Sequence, residues 1–485
     1  MELIYILIIP GLAGVLSLIP AGKKFAPAVT ILGALAVLIF SIRASFRAAS
    51  GVEVVAIENW ISGDSLSALV LLLVSFVGFT AAIFSLGYLG GSLERTGAAN
   101  HSGRIRRYYA RYNLFLLSML AVPILSQVAL VWIAVELTTL LSVFLVSFEN
   151  TPEALEAAWK YVVLTCLGAA FALLGVLILY WGMSISGKGP FTWQGLVTAS
   201  PGIPPMLLKT SFLFILIGFG TKVGLVPLHT WLPDAHSQAP SPICALLSGV
   251  ETTAVLYAIL RLLPVLQVAP SIQVENWFIV FGLLSVGTAA FLLIQVKDYK
   301  RLFAFSTVEH MGIILIAAGL GSSAAQYGAT FQMISHALTK SFCFFAAGST
   351  LLSVGTRDIT AVRGLIRTSP VAAVALMIGG LAIAGAPPFT VFLSEFSILK
   401  AGMASGHYLV TALLALFIVI AFCGILFPIN RMVFGKPADL AGRTTMATTS
   451  VVAVVLAAIP VISLGLYLPG PLHELLRLAA ASLGR

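Results

Sequence analysis

Ionisable side chains recur where the flanking sequence is apolar. Glu136 lies in Val131-Trp132-Ile133-Ala134-Val135-Glu136-Leu137, and Lys222 lies in Gly220-Thr221-Lys222-Val223-Gly224-Leu225-Val226-Pro227. Lys160 follows Glu156 by four residues, which puts both on one helix face. Glu309 adjoins His310, His336 precedes Lys340 by four, and Glu395 follows Pro387-Pro388. Glu251, His229 and His236 complete the set. A charge at the centre of a membrane helix costs at least roughly 2.5–3.5 kcal/mol, and such residues mark ion paths. The chemistry open to them is the relay of protons, or the passage of sodium.

A plainer reading stands beside several of these. Glu156 and Lys160 also suit a structural ion pair near the membrane edge. Glu251 also suits the lipid–water boundary. His229 and His236 flank a helix break and could bond freed backbone groups. Glu136, Lys222 and Lys340 sit deep in apolar runs, where the plain reading is weakest.

The energetics permit a switch. Burial disfavours a charged lysine, and a carboxylate at roughly 4 Å in an effective dielectric near 20 restores about 4 kcal/mol. The two effects are of similar size. Movement of Glu136 toward or away from Lys222 could therefore make that lysine hold or release a proton. The residues predict proton intake and exchange through Lys160, Lys222, His229 and His236. His310, beside Glu309, then continues the relay with His336 and Lys340, and Glu395 is the terminal site.

These residues need a membrane to make sense, and the composition supplies one. Of 485 residues, 59% are hydrophobic and 9% are charged, against about 25% charged in soluble domains. The mean hydropathy is +1.04. Stretches of the roughly 20 apolar residues that a spanning helix needs recur from end to end. Met1-Glu2-Leu3-Ile4 has no basic n-region, so the first span is expected to be retained rather than cleaved. Cys166, Cys244, Cys343 and Cys423 lie in apolar runs without metal-site spacing and read as small core residues. The net charge of +9 comes mostly from short loops, which suits membrane topology better than nucleic acid.

An all-α membrane protein of about fourteen transmembrane helices is predicted. The spans begin near residues 3, 27, 65, 112, 126, 155, 208, 238, 276, 301, 326, 370, 405 and 447. Sixteen of the 27 lysines and arginines, among them Lys23, Arg95, Arg104, Arg106, Arg107, Arg111, Arg301 and Arg443, fall on one side. Eight, among them Arg43, Arg47, Lys188, Lys209, Arg261 and Arg485, fall on the other. Lys160, Lys222 and Lys340 lie within spans. The positive-inside rule puts the first side in the cytoplasm and both termini outside.

Prolines interrupt two spans, the seventh at Pro227 and Pro233 and the twelfth at Pro387-Pro388. Broken helices at corresponding places in two halves are a transporter signature. Glu156-Ala157-Ala158-Trp159-Lys160 echoes His336-Ala337-Leu338-Thr339-Lys340, each one span before a break. The expected organisation is an N-terminal segment with a basic cytoplasmic loop (1–111), two half-channels (112–263 and 276–431), and a last helix with a short amphipathic tail (432–485).

Three motifs carry a family resemblance. They are Lys222-Val223-Gly224-Leu225-Val226-Pro227-Leu228-His229-Thr230-Trp231-Leu232-Pro233-Asp234-Ala235-His236, Lys297-Asp298-Tyr299-Lys300-Arg301-Leu302-Phe303-Ala304-Phe305-Ser306, and Ala384-Gly385-Ala386-Pro387-Pro388-Phe389 with Glu395 following. Over roughly residues 60–435 the chain resembles the antiporter-like subunits of respiratory complex I, Mrp sodium/proton antiporters and group 4 membrane-bound hydrogenases. Ser306-Thr307-Val308-Glu309-His310-Met311-Gly312 and the His336–Ser341 run are most similar to the F component of hydrogenase-4-type complexes. The resemblance implies two inverted five-helix repeats and pairing of Glu136 with Lys222. It also implies a lysine in the eighth helix, but Thr253 stands there, and Glu251 is the group that could take over part of that role.

The leading reading is a proton-translocating subunit of a redox complex in a bacterial or archaeal inner membrane. No redox motif is present, so no cofactor is expected in this chain. The driving chemistry would sit in partners: a peripheral iron–sulfur or hydrogenase arm and further antiporter-like membrane subunits. An Mrp-type Na+/H+ antiporter subunit, or a complex I chain of the M or N kind, is the alternative. A membrane haem or quinone enzyme is a different class. Histidine is a common haem ligand, but His310 and His336 are accompanied by glutamate and lysine, which suits a relay.

Overall fold

The computed structural model describes residues 1–96, 101–187, 189–436 and 446–484. Lys188, Arg443 and Arg485, used above to sort the charges, lie outside the described residues, as does the side chain of Arg95. The chain opens with α1 (Glu2–Leu16) and α2 (Phe25–Ala49), then a hairpin of β1 (Val54–Ile57) and β2 (Ile61–Gly63). Next come α3 (Ser65–Thr96), α4 (His101–Ala121), α5 (Val128–Val146), α6 (Pro152–Ser186), α7 (Trp193–Ala199), α8 (Pro205–Val223) and α9 (Trp231–Gln238). Then follow α10 (Ser241–Leu246), α11 (Thr252–Leu260), α12 (Leu263–Leu266), α13 (Val274–Leu293), α14 (Tyr299–Gly319), α15 (Ser323–Val354) and α16 (Leu365–Thr368). The last are α17 (Pro370–Ile383), α18 (Thr390–Ala404), α19 (Tyr408–Phe434), α20 (Thr448–Leu466) and α21 (Gly470–Ala481).

Among the described residues, eleven helical segments are long and apolar enough to cross a membrane, and α1 and α17 are shorter apolar helices. The hairpin is the departure from an all-helical chain. Asn59 turns it at φ 59°, and Val54 pairs with Gly63. The fourth helix also starts earlier than the expected position near 112. Arg104, Arg106, Arg107 and Arg111 therefore belong to α4 rather than to a loop. The helix tolerates them because their heads find partners. Arg104 donates to the Phe148 carbonyl at 2.8 Å, and Arg111 lies over the Phe144 ring at 4.9 Å.

Small residues set the tightest packing. A Cβ added to Gly168 would lie 2.7 Å from the Gly218 carbonyl oxygen, so α6 and α8 touch backbone to backbone. Gly282 and Gly312 do the same for α13 and α14. The 32-residue α15 is buried from Ala325 to Thr350 except at the half-buried Tyr327, against α3, α14, α17, α18 and α20. The segment from Ser241 to Leu266 is likewise enclosed along its length. These two enclosed segments carry Ser248, Glu251, Gln332, His336 and Lys340, which recur below. The tail helix α21 buries Leu475 and Leu476 against α3 and α15, so it packs on protein rather than lying on lipid alone.

Helix α8 ends at Val223, and α9 resumes at Trp231. Gly224 turns the chain there at φ +86°, where only a residue without Cβ is unstrained. Helix α17 ends at Ile383, and α18 resumes at Thr390, with Gly385 at φ +76° in the gap. The Val226-Pro227 and Pro387-Pro388 peptides are both cis.

Candidate functional site

The first cluster forms where α5, α6 and α8 meet the segment joining α10 to α11. That segment, Leu247–Glu251, is one turn of π-helix, a feature frequent at functional sites. It ends with Glu251 pointing inward, 1% exposed. Lys222, 2% exposed, lies 3.2 Å from the Glu251 carboxylate. Thr138 donates to Glu251 at 2.8 Å, Tyr161 donates to it at 3.2 Å, and Lys222 donates to Thr139.

The ion pair of Lys222 is thus with Glu251 and not with Glu136. Glu136 sits on the half-buried flank of α5, where one carboxylate oxygen accepts from the Cys166 thiol at 2.9 Å. Its other oxygen is buried without a partner. Glu251, for which the lipid–water boundary was one reading, is instead at the centre. Thr253 is fully buried and donates to the Gly249 carbonyl at 2.9 Å, inside the π-turn.

Lys160 is not in this interior. Its side chain is 46% exposed, paired with Glu156 at 2.7 Å and with Asp234 at 3.2 Å. Asp234 also takes Arg301 at 2.5 Å. The plain reading of Glu156 and Lys160 as an edge ion pair describes this geometry.

The second cluster lies between α14, α15 and the α17–α18 gap. Lys340 is fully buried and donates to the Phe303 carbonyl and, at 2.5 Å, to the Ser306 hydroxyl. Glu309 is 3% exposed and has one unpartnered buried oxygen. Glu395 is 5% exposed, with its carboxylate against Gly385.

The buried histidines have assignable tautomers, because a carbonyl oxygen only accepts. His336 Nε2 meets the Ser248 carbonyl at 3.0 Å, so Nε2 carries the hydrogen and the partnerless Nδ1 is a free lone pair. His236 Nδ1 meets the Leu232 carbonyl at 2.6 Å, leaving Nε2 free. His310 Nε2 donates to the Ile383 carbonyl at 3.1 Å, and its Nδ1 accepts from Gln332 at 3.2 Å. Each ring is a neutral base with one defined acceptor nitrogen. The His310 and His336 rings are 5.3 Å apart between centroids. His229 lies in the α8–α9 gap against Phe305, with a buried partnerless Nδ1.

One short segment joins the two clusters. The π-turn presents Glu251 to Lys222 and the Ser248 carbonyl to His336. The Ser248 hydroxyl also bonds Thr307 of α14 at 2.6 Å. Gln332 continues the line, because its amide oxygen accepts from Ser394, the neighbour of Glu395. Tyr161, Thr138, Thr139, Ser248 and Gln332 were not singled out from sequence. The readable signal for Gln332 was its place four residues before His336 and eight before Lys340, on one stripe of α15.

Buried ionisable groups in a largely α-helical, multi-pass membrane protein place the chain with the antiporter-like membrane subunits. The chain belongs to the NADH:quinone oxidoreductase/Mrp antiporter transmembrane family, whose profile matches residues 126–421. A profile described as the N-terminus of complex I chain 5 matches residues 54–97. The chain is 38% identical over 378 residues to a hydrogenase-4 component F homolog of Methylacidiphilum infernorum, covering 77% of this chain and 79% of that one. Its fold is similar to a chain of the archaeal membrane-bound sulfane sulfur reductase, with a TM-score of 0.87, 24% identity, and 99% and 96% of the two chains covered. It is equally similar to a chain of an Mrp complex from Dietzia sp., with a TM-score of 0.87, 19% identity, and 99% and 97% covered.

Proposed function

We propose that this chain is the proton-translocating subunit of a complex I-like redox complex of the group 4 hydrogenase type. It would couple electron transfer in partner subunits to proton movement. The observation that carries this reading is the buried Lys222–Glu251 pair, joined through the π-turn to His336 and onward to Lys340. The likeness to the hydrogenase-4 component F homolog supports the choice of complex.

On this reading α8 with α9, and α17 with α18, are two interrupted membrane passes in inverted repeats, within about fourteen passes. The face carrying Arg104, Arg301 and Arg357 is cytoplasmic, and both termini face outward. Breaking the Lys222–Glu251 pair frees Lys222 to give up its proton. The proton then passes to the free nitrogen of His336 and the amine of Lys340. It leaves by Glu309 and Glu395. Glu136 would bias Lys222 from the flank, through Cys166 and the α5 threonines, rather than by direct contact. The redox cofactors belong to partners, which include a peripheral arm and further antiporter-like membrane subunits.

The test is proton pumping by the purified complex in sealed vesicles. Glu251→Gln and Lys340→Ala should abolish pumping while the complex still assembles, and Lys340→Arg should retain more than Lys340→Ala. Full pumping by Glu251→Gln would sink the reading. The fold likeness to the Mrp complex supports a second reading, an Mrp-type Na+/H+ antiporter subunit. Transport that requires sodium, without a redox partner in the purified complex, would select it.

A further inference from the structure

A cavity of about 450 Å³ opens on the face that carries Arg301 and Arg357. Its walls include Tyr88, Glu149, Glu153, Thr356 and Arg357, and Lys300 lines it too. Lys300 is 1% exposed, in the first turn of α14, and is not part of the line described above. Its partners are carbonyl oxygens rather than carboxylates: Ser237 at 2.9 Å and Ala239 at 2.5 Å, where α9 ends. Arg357 takes the same Ser237 carbonyl at 2.6 Å and the Gln238 side chain at 3.0 Å.

On the inner side of those carbonyls, the Cys244 thiol donates to the His236 carbonyl at 2.9 Å and shares the Ala239 carbonyl at 3.2 Å. The His236 ring is fully buried and has its free Nε2 lone pair. The His236 ring packs on Phe344 of α15, one turn beyond Lys340, with 5.8 Å between ring centroids. A polar vestibule, a buried amine and a buried neutral base thus stand in sequence, ending at the second cluster.

We propose that this vestibule is a water-filled proton intake and that Lys300 is its relay group, passing protons from vestibule water to His236. Neutral Lys300 takes a proton from hydronium, which leaves as water. Lys300 then gives that proton to the His236 Nε2 lone pair and is neutral again. The imidazolium keeps its Nδ1–H on Leu232 and discharges toward His336. The inference rests on the reading of the His336–Lys340 line as a proton path, and it adds a second way in, separate from the Lys222–Glu251 pair.

A purely structural lysine and a relay lysine differ in one test. Arginine keeps the charge and can donate to the same carbonyls, but it does not release its proton. Lys300→Arg in the whole complex, reconstituted in vesicles, should assemble normally and pump at least tenfold more slowly. Lys300→Met should be no better. A second arm does not depend on altering Lys300. Thr356→Cys should pump like its parent until a membrane-impermeant, negatively charged methanethiosulfonate reaches it from the vestibule face, and should then lose most of its pumping. Normal pumping by Lys300→Arg, or by labelled Thr356→Cys, overturns the proposal. Lys340→Ala is the control. If it pumps fully, the line itself is wrong and the intake falls with it. If it fails while Lys300→Arg and the labelled cysteine both pump normally, only the intake is wrong.

Discussion

The partner of Lys222 decides what single substitutions should cost. Glu251→Gln leaves a buried ammonium without its carboxylate, and breaking a buried pair by removing one partner costs about 3–5 kcal/mol. Glu136→Gln removes a charge on a half-buried flank but keeps an amide oxygen that can accept from the Cys166 thiol, and should cost less than about 1 kcal/mol. Thermal denaturation of the two variants in detergent should separate them in that order. The reverse order would mean that Lys222 relies on Glu136. Lys222, Lys340, Glu309 and Glu395 were legible in the sequence because each is a charge inside an apolar run. The weight of Glu251 was not. Its direction is set by a π-turn, and no residue pattern from Leu247 to Glu251 announces one. Lys160 misled for the converse reason. Its flanks are apolar, but it sits on the second and third turns of α6, close enough to the helix end for its ammonium to reach Asp234.

At the scale of elements, the prolines marked where the helices would stop, and the glycines show how. Gly385 combines a positive φ with a carboxylate oxygen of Glu395 2.3 Å from where a Cβ would stand. Gly385→Ala should therefore cost more than the roughly 1–2 kcal/mol of a left-handed alanine and should displace Glu395. At Gly224 the obstructing atom is the flexible end of Leu232, so Gly224→Ala should cost nearer to the backbone term alone. Comparing the melting temperatures of the two variants checks this, and Gly385→Ala should also lose pumping. The hairpin and the true start of α4 were not legible. Four arginines in eight residues look like a loop, and only the acceptors on Phe148 and Phe144, from a distant part of the chain, make them a helix.

At the scale of the molecule, ionic contacts tie distant segments together at both faces. On one face Asp234 of α9 is held by Lys160 of α6 and Arg301 of α14, so one carboxylate ties three helices. On the other, Arg261 grips Asp64 with two nitrogens, fixing the end of α11 to the start of α3. Burial pushes the Asp64 carboxyl up, but the Arg261 guanidinium and Ser67 outweigh it and hold the carboxyl below its usual range. A carboxyl held low when folded stabilises the fold above its unfolded pKa, about 3.9. That contribution fades as pH falls through the lower folded value. Asp64→Asn should melt earlier than the parent at pH 7, and the gap should close as pH falls below about 4. A gap that persists at low pH would assign the contact to packing rather than charge.

The π-turn also has a meaning for the chain as a whole. An ordinary helix advances about 100° per residue, and one surplus residue puts everything after it out of phase by that angle. Before the surplus, the segment keeps step with the second cluster through Ser248. After it, the same segment keeps step with the first cluster through Glu251 and runs on to Tyr257 and Arg261. Excising one residue between Leu247 and Val250 would leave a straighter and more regular helix. It would also leave two clusters that no longer share a beat, an intact scaffold with its wiring cut.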